Sequence, residues 1–370
     1  MERDAVPERP ARTTRGRRLA ALVLGGVLAL AGVEGAVRTL APQADAPLAG
    51  SLLRGPLTRP GDHRVRTEAG EATVHVNAHG FVDHEWPSPD AAKGAPRVAV
   101  LGDSFVQGAQ VALDDGYGRR LQSALRAGGS PTAEVLSLGV PGAGTATALE
   151  VYRAHVRALR PDVVVLGFLV ANDVLNNHPL LEAKDDKPFY ARAPDGALVR
   201  TGAARTLARG PLWEASHAWR WITRERVAAE VARRKVALGR GVPVDLRVHD
   251  PTPDPVWEEA WAVTDALVGA LAREAHADGA RFVTVLFPDG VTANARDRDA
   301  AVGRWPAAAA WDPARAQARA ATMAARHGPV IDLLPALRDR PSLYLPKDGH
   351  WTADGHAAAA VATAEGLRAR

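Results

Sequence analysis

From residue 97 onward, short apolar runs alternate with longer stretches in which apolar positions recur every three to four residues. Strands are predicted over residues 97–101, 133–138, 162–168, 281–287 and 329–333. Helices are predicted over 117–126, 145–159, 256–277 and 353–367, with Pro161 closing the second. The run Val163-Val164-Val165-Leu166 is continuously apolar, as in a strand buried on both faces. Strands alternating with helices imply an α/β fold whose parallel sheet is covered on both faces. Such sheets bind ligands at the carboxyl ends of their strands, so the loops after Leu101, Leu138, Phe168 and Leu333 come into focus.

Elsewhere the pattern is weaker. Residues 41 to about 70 are rich in Pro, Gly and charge and read as a linker, with a second linker at 88–95. Residues 73–77 alternate like a short strand, and His79-Gly80-Phe81 turns after it. Between 176 and 255 the alternation breaks in a segment holding Trp213, Trp219, Trp221 and many arginines. It is too long for an ordinary connection and reads as a partly helical insertion. Two roles remain open for it: a cap over the site, or a surface excursion with its own aromatic core.

Arg12, Arg15, Arg17 and Arg18 precede an uncharged run from Leu19 to Val33, which Glu34 interrupts and Arg38 closes. Positive charge ahead of an apolar run keeps an N-terminus in the cytoplasm. The run falls short of the roughly 20 residues that span a bilayer, unless Glu34 sits at headgroup level and the span continues to Val37. One reading is a signal anchor, with the rest of the chain held at the cell membrane in the periplasm or outside the cell. A second is secretion after cleavage at Ala29-Leu30-Ala31. A third is a buried helix, against which the lack of helical periodicity counts. The expected organisation is a basic cytoplasmic tail (1–18), an anchor or signal peptide (19–40), a juxtamembrane linker and extension (41–95), and a domain over 96–370 with an insertion at about 176–255.

Composition narrows the chemistry. The 370 residues are 46% hydrophobic and 24% charged, enough for one large domain plus extras. A formal charge of +4, without a zinc finger, RNP motif or basic heptad helix, points away from nucleic acid. The absence of cysteine excludes disulfides, thiolate metal sites and a cysteine nucleophile.

The loop after the first strand reads Gly102-Asp103-Ser104-Phe105. A serine there presents its hydroxyl at the sheet edge, on a helix N-terminus that favours developing negative charge. The same residues also suit a plain helix cap. The second strand runs into Val140-Pro141-Gly142-Ala143-Gly144-Thr145, which lacks both the lysine of a phosphate loop and the third glycine of a dinucleotide fingerprint. The third runs into Val170-Ala171-Asn172-Asp173, an amide donor or an Asx turn. Before the last helix stands Lys347-Asp348-Gly349-His350-Trp351. His350 suits a base for serine, and Asp348 suits a partner fixing its tautomer. His356 is a reserve base; Asp103 and Asp173 read as loop braces; Trp257, Trp261 and Trp351 read as packing, with a sugar contact the other option for Trp351. His75 and His79 are four apart but lie on a strand and turn, so no metal site is expected, and no cofactor is called for.

Together these blocks resemble the SGNH (GDSL-like) hydrolase superfamily, in the family's order and over about residues 97–367 apart from the insertion. The resemblance implies a three-layer, flavodoxin-like SGNH fold with about five parallel strands. It also implies Ser104 as nucleophile, His350 and Asp348 as its partners, and an oxyanion hole from the N–H groups of Ser104 and Gly142 and the Asn172 amide. Asn77-Ala78-His79-Gly80-Phe81-Val82-Asp83 resembles a lead-in of membrane-anchored bacterial members. Phe105 replaces the common Leu, and Val170 stands where glycine is usual, which would narrow the pocket. Asp348-x-His350 is one residue shorter than usual, similar to the alginate acetylation branch. Implied substrates are acylated envelope carbohydrates or lipids, with a membrane acyltransferase as a further partner. An O-acyltransferase and a non-catalytic glycan-binding protein are the alternatives.

Overall fold

The structure, a computed structural model, describes residues 12–40, 60–68, 70–88, 95–183, 187–202, 216–252 and 254–369. Trp213 and the first eleven residues of the basic tail lie outside them. The chain divides into two compact units, residues 1–43 with 209–228, and 44–208 with 229–370.

In the first unit a single helix, Arg12–Leu40, carries the apolar run with its leucines and valines exposed. Its Gly16–Leu40 portion is long and apolar enough to cross a membrane, by length and composition. At ~1.5 Å per residue those 25 residues reach ~37 Å, against ~30 Å of hydrocarbon. The unit also holds the start of the helix His217–Leu238.

The second unit is built on a parallel sheet of five strands: β3 (Arg97–Gly102), β4 (Glu134–Gly139), β5 (Val163–Leu169), β8 (Arg281–Phe287) and β9 (Val330–Asp332). Their spatial order is β4-β3-β5-β8-β9. Side chains of β3 alternate between two helical layers: Ala99 and Leu101 join one apolar cluster, Val98 and Val100 the other. The first cluster includes Trp257, Trp261 and Leu267 from the helix Pro255–Ala277. The second includes Tyr117, Leu121 and Leu125 from Tyr117–Ala127, and Ala360, Ala364 and Leu367 from Ala353–Arg368. The spacing of Tyr117, Leu121 and Leu125 puts them on one helix face. Burying a leucine there stabilises the fold by about 1.5–3 kcal/mol.

The chain leaves β3 to one side for β4 and then crosses to β5 on the other. The segments that leave β3 and β5 therefore pack on opposite faces of the sheet, leaving at the carboxyl ends of the two strands a crevice where side chains from several loops can converge.

The helix expected over 145–159 is regular only in Thr145–Val151; it widens to a π-helical segment, Tyr152–Val156, and narrows at Arg157–Leu159. There Tyr152 donates to Asp278 (2.7 Å), and Arg153 and Arg157 pair with Glu274. One expectation needs correction. The stretch read as linker contains a strand, β1 (Gly61–Thr67), paired antiparallel with β2 (Gly70–Val76). Its polar composition, Asp62-His63-Arg64-Val65-Arg66, hides it from an apolar-pattern reading. The insertion is partly helical, as expected, in His217–Leu238, and it also contains a hairpin, β6 (Phe189–Arg192) with β7 (Leu198–Gly202), turning at Pro194-Asp195-Gly196, a turn signal present in the sequence.

The lead-in motif after β2 is an anchoring device. Asn77 accepts through its side-chain oxygen from His79 N (3.0 Å) and Phe81 N (3.1 Å), and Gly80 takes a positive φ of 82°. Buried Asp83 then accepts from Ser137 N on β4 (2.8 Å) and Trp86 Nε1 (2.7 Å), and pairs with Arg119 (3.0 Å). Burial raises the Asp83 carboxyl above its ordinary value, against the pull of Arg119.

Candidate active site

Ser104 opens the short helix Ser104–Gln107 immediately beyond β3. Asp103 caps that helix by accepting from Phe105 N at 2.9 Å. His350 arrives from the far end of the chain on a tight loop closed by Leu345 N donating to His350 O (2.8 Å) and Gly349 N to Leu345 O (2.9 Å). Its Nε2 lies 2.7 Å from Ser104 Oγ, and its Nδ1 is hydrogen-bonded to Asp348. With the Nδ1 proton directed at Asp348, the Nε2 lone pair faces the hydroxyl. The His350 hydrogen bond holds the Asp348 carboxyl below its usual range, against partial burial. Phe105 flanks the imidazole, with ring centroids 4.8 Å apart, and rests in turn on buried Trp351 at 4.9 Å. Trp351 thus packs behind the site. His356 is fully buried edge-on to Trp351, and desolvation lowers its pKa to about 3, so it stays neutral.

Asn172 stands on the first turn of Val170–Asn176, beyond β5. Its Nδ2 donates to Asp103 Oδ2 at 3.0 Å, which leaves one amide hydrogen uncommitted by that bond. Asp103 therefore joins the Ser104 helix to the Asn172 helix. Burial pushes its carboxyl up, while the bonds from Phe105 N and Asn172 pull it back. Asp173 accepts from Leu169 N (2.8 Å) at the end of β5; burial, then the neighbouring Asp103 charge, drives its pKa well above the ordinary value.

Gly142 follows β4 in a turn closed by Ala143 N donating to Val140 O at 2.9 Å. Pro141 in the second position and a Gly142 φ of +66° are the marks of a type II turn. The two forms of such a turn differ by a flip of its central peptide, the one that carries the Gly142 N–H.

The sequence profile of the GDSL-like lipase/acylhydrolase family matches residues 100–358, from β3 into the last helix. The chain belongs to that family. It is an enzyme of the ester-hydrolase class. Among solved structures, this acylhydrolase is similar to the lipase/acylhydrolase from Enterococcus faecalis, with 15% identity over 74% of this chain and 96% of that one (TM-score 0.39). It is likewise similar to an acetyl xylan esterase, with 14% identity over 74% and 98% (TM-score 0.37). A search of curated proteins found no match.

Two residues around the acylhydrolase's loops were not picked out from sequence. Lys187, at the start of the segment leading into β6, donates from Nζ to the Gly142 carbonyl and to Glu182. Both side chains are almost wholly buried, and Asn176 Nδ2 also donates to Glu182 (2.6 Å). Glu68, at the tip of the β1–β2 hairpin, accepts from Lys347 N (2.9 Å) and Asp348 N (2.9 Å), clasping the loop that carries Asp348 and His350. Single charged residues binding backbone groups leave no periodic trace. The only cue was that charged residues flank each otherwise ordinary turn.

Proposed function

We propose that the protein cleaves an O-acyl ester on an envelope carbohydrate or lipid through an acyl-serine intermediate. The observation that carries this reading is the hydrogen-bonded row Ser104–His350–Asp348 at the crevice between β3 and β5. His350 Nε2 takes the Ser104 proton as Oγ bonds to the ester carbonyl carbon. The resulting oxyanion is held by the N–H groups of Ser104 and Gly142 and by the free Asn172 amide hydrogen. His350 then protonates the leaving alcohol as the C–O bond breaks, and water, deprotonated in the same way, releases the acid. A fluorophosphonate probe is expected to label Ser104 in the purified protein; an unlabelled, folded protein would remove the covalent step.

Replacing Asn172 by alanine is expected to lower kcat about a hundredfold or more, with KM nearly unchanged, because one oxyanion donor is worth about 3 kcal/mol at the transition state. Steady-state kinetics on p-nitrophenyl acetate test this, and an unchanged kcat would exclude Asn172 from the hole.

Lys187 is a positioning residue in this reading. Lys187→Met should lower kcat about ten- to a hundredfold, because small misplacements of a donor are expensive. Removing one partner of a buried ion pair also costs about 3–5 kcal/mol of stability. The double variant Lys187→Met/Glu182→Met removes the unpaired charge and separates the effects. It should recover part of the lost Tm, Asn176 Nδ2 being left without its acceptor, while kcat stays low; recovery of kcat as well would reduce Lys187 to a structural role.

The membrane-length helix supports tethering at the cell membrane with the hydrolase outside, and hence an envelope substrate. Transfer to a sugar hydroxyl from a membrane acyltransferase partner uses the same acyl-enzyme; product analysis with an added acceptor separates transfer from hydrolysis.

A further inference from the structure

We propose that the first turns of the helix His217–Leu238 make a second membrane contact, seating Trp219, Trp221 and Ile222 in the lipid headgroup interface beside the anchor. The proposal rests on reading Arg12–Leu40 as that anchor. Its basis is Glu34, the one carboxylate in the apolar run. Glu34 accepts from Ser216 Oγ (2.7 Å), His217 N (2.8 Å) and Ala218 N (2.9 Å), and from Arg38 Nε (2.6 Å). Ser216 Oγ in turn accepts from Trp219 N (3.0 Å). An acidic group on the anchor thus caps the N-terminus of a helix that begins some 180 residues later, satisfying N–H groups that have no partner within the helix.

Depth follows from geometry. Arg17 and Arg18 mark the inner boundary of the apolar run. Glu34 lies fifteen residues beyond Leu19, or about 22 Å along the helix. A hydrocarbon core of about 30 Å would end near Arg38. Glu34, and the helix start pinned to it, therefore lie within about two turns of the outer boundary. A bare carboxylate there is costly, and the capping helix satisfies it. Trp219 and Trp221 are each 46% exposed and Ile222 36%, large apolar surface that water would otherwise cover. Tryptophan concentrates at this level of a bilayer, where its ring is buried and its N–H stays wet. The helix carries six basic residues against two acidic ones, which suits an anionic lipid surface.

The natural chain has no cysteine, so single labels are clean. Full-length variants Val27→Cys, Trp221→Cys, Ile222→Cys and Val361→Cys would each carry an environment-sensitive fluorophore. They would be reconstituted into phosphatidylethanolamine–phosphatidylglycerol vesicles containing a lipid with a nitroxide either near the headgroup or near the end of the acyl chain. The label at 27 should be quenched from the acyl-chain end, those at 221 and 222 from near the headgroup, and the label at exposed Val361 by neither. Quenching at 27 without quenching at 221 and 222 overturns this proposal and leaves the anchor standing. No quenching at 27 overturns the anchor and the proposal with it. Adding Glu34→Ala should abolish quenching at 221 and 222, keep it at 27, and preserve hydrolysis of a soluble ester. Undiminished quenching at 221 and 222 would refute the role of Glu34.

Discussion

Replacing Ser104 by alanine is expected to reduce kcat on p-nitrophenyl acetate by about 10⁴-fold or more while Tm stays within a few degrees of wild type. Oγ lies 2.7 Å from Nε2 of an imidazole that Asp348 orients from behind. Removing it leaves no nucleophile at that position, although the oxyanion donors remain and sustain a residual rate. The fold does not need the hydroxyl. The cap of the Ser104–Gln107 helix is the Asp103 side chain, and its walls are Phe105 and Val106, none of which changes. His350→Ala should produce a loss of the same order, and the double variant little more, because the two groups act as a unit. Multiplying losses in the double variant would mean that they act independently and would break the proposed row.

The strands were legible because burial on both faces demands continuous apolar residues, as in Val163-Val164-Val165-Leu166. The residues of the candidate site stood out because Ser104, Asn172 and His350 each lie just beyond such a strand or just before the last helix. What escaped were contacts in which one charged side chain binds backbone groups far away in sequence. Glu68 on the loop at Asp348, Lys187 on the Gly142 carbonyl and Glu34 on the helix at His217 are all of that kind. Nothing periodic marks them, since hydrogen bonding to a main-chain N–H or C=O requires nothing particular of the residue that supplies it. β1 was lost for a related reason: its exposed side chains are polar, and only its pairing with β2 makes it a strand.

Gly139→Ala is expected to damage both stability and chemistry, although residue 139 belongs to neither the proposed catalytic row nor the proposed oxyanion hole. A β-carbon there would stand 2.1 Å from Gln107 N, 2.5 Å from Gln107 Cα and 2.7 Å from Val106 C. All three are backbone atoms of the segment that begins with Ser104, so no rotamer change can relieve the clash. The helix is also tied to β4 by Ser137 Oγ donating to Val106 O (3.1 Å), and β4 to β3 by Val140 N donating to Gly102 O (2.9 Å). The added methyl must therefore push the Ser104 helix off the sheet or open the β3–β4 edge. Overpacking of this kind costs about 3 kcal/mol, or a fall in Tm of about 6–12 °C. A shift of about 1 Å between Ser104 and His350 should cost about a hundredfold in kcat. Gly303→Ala is the control: a β-carbon there meets nothing within 4 Å, in a helix where alanine is favoured. It should hold or slightly raise Tm and keep kcat. If Gly139→Ala lost stability yet kept wild-type kcat, the nucleophile would not owe its position to close packing of its helix on the end of β4.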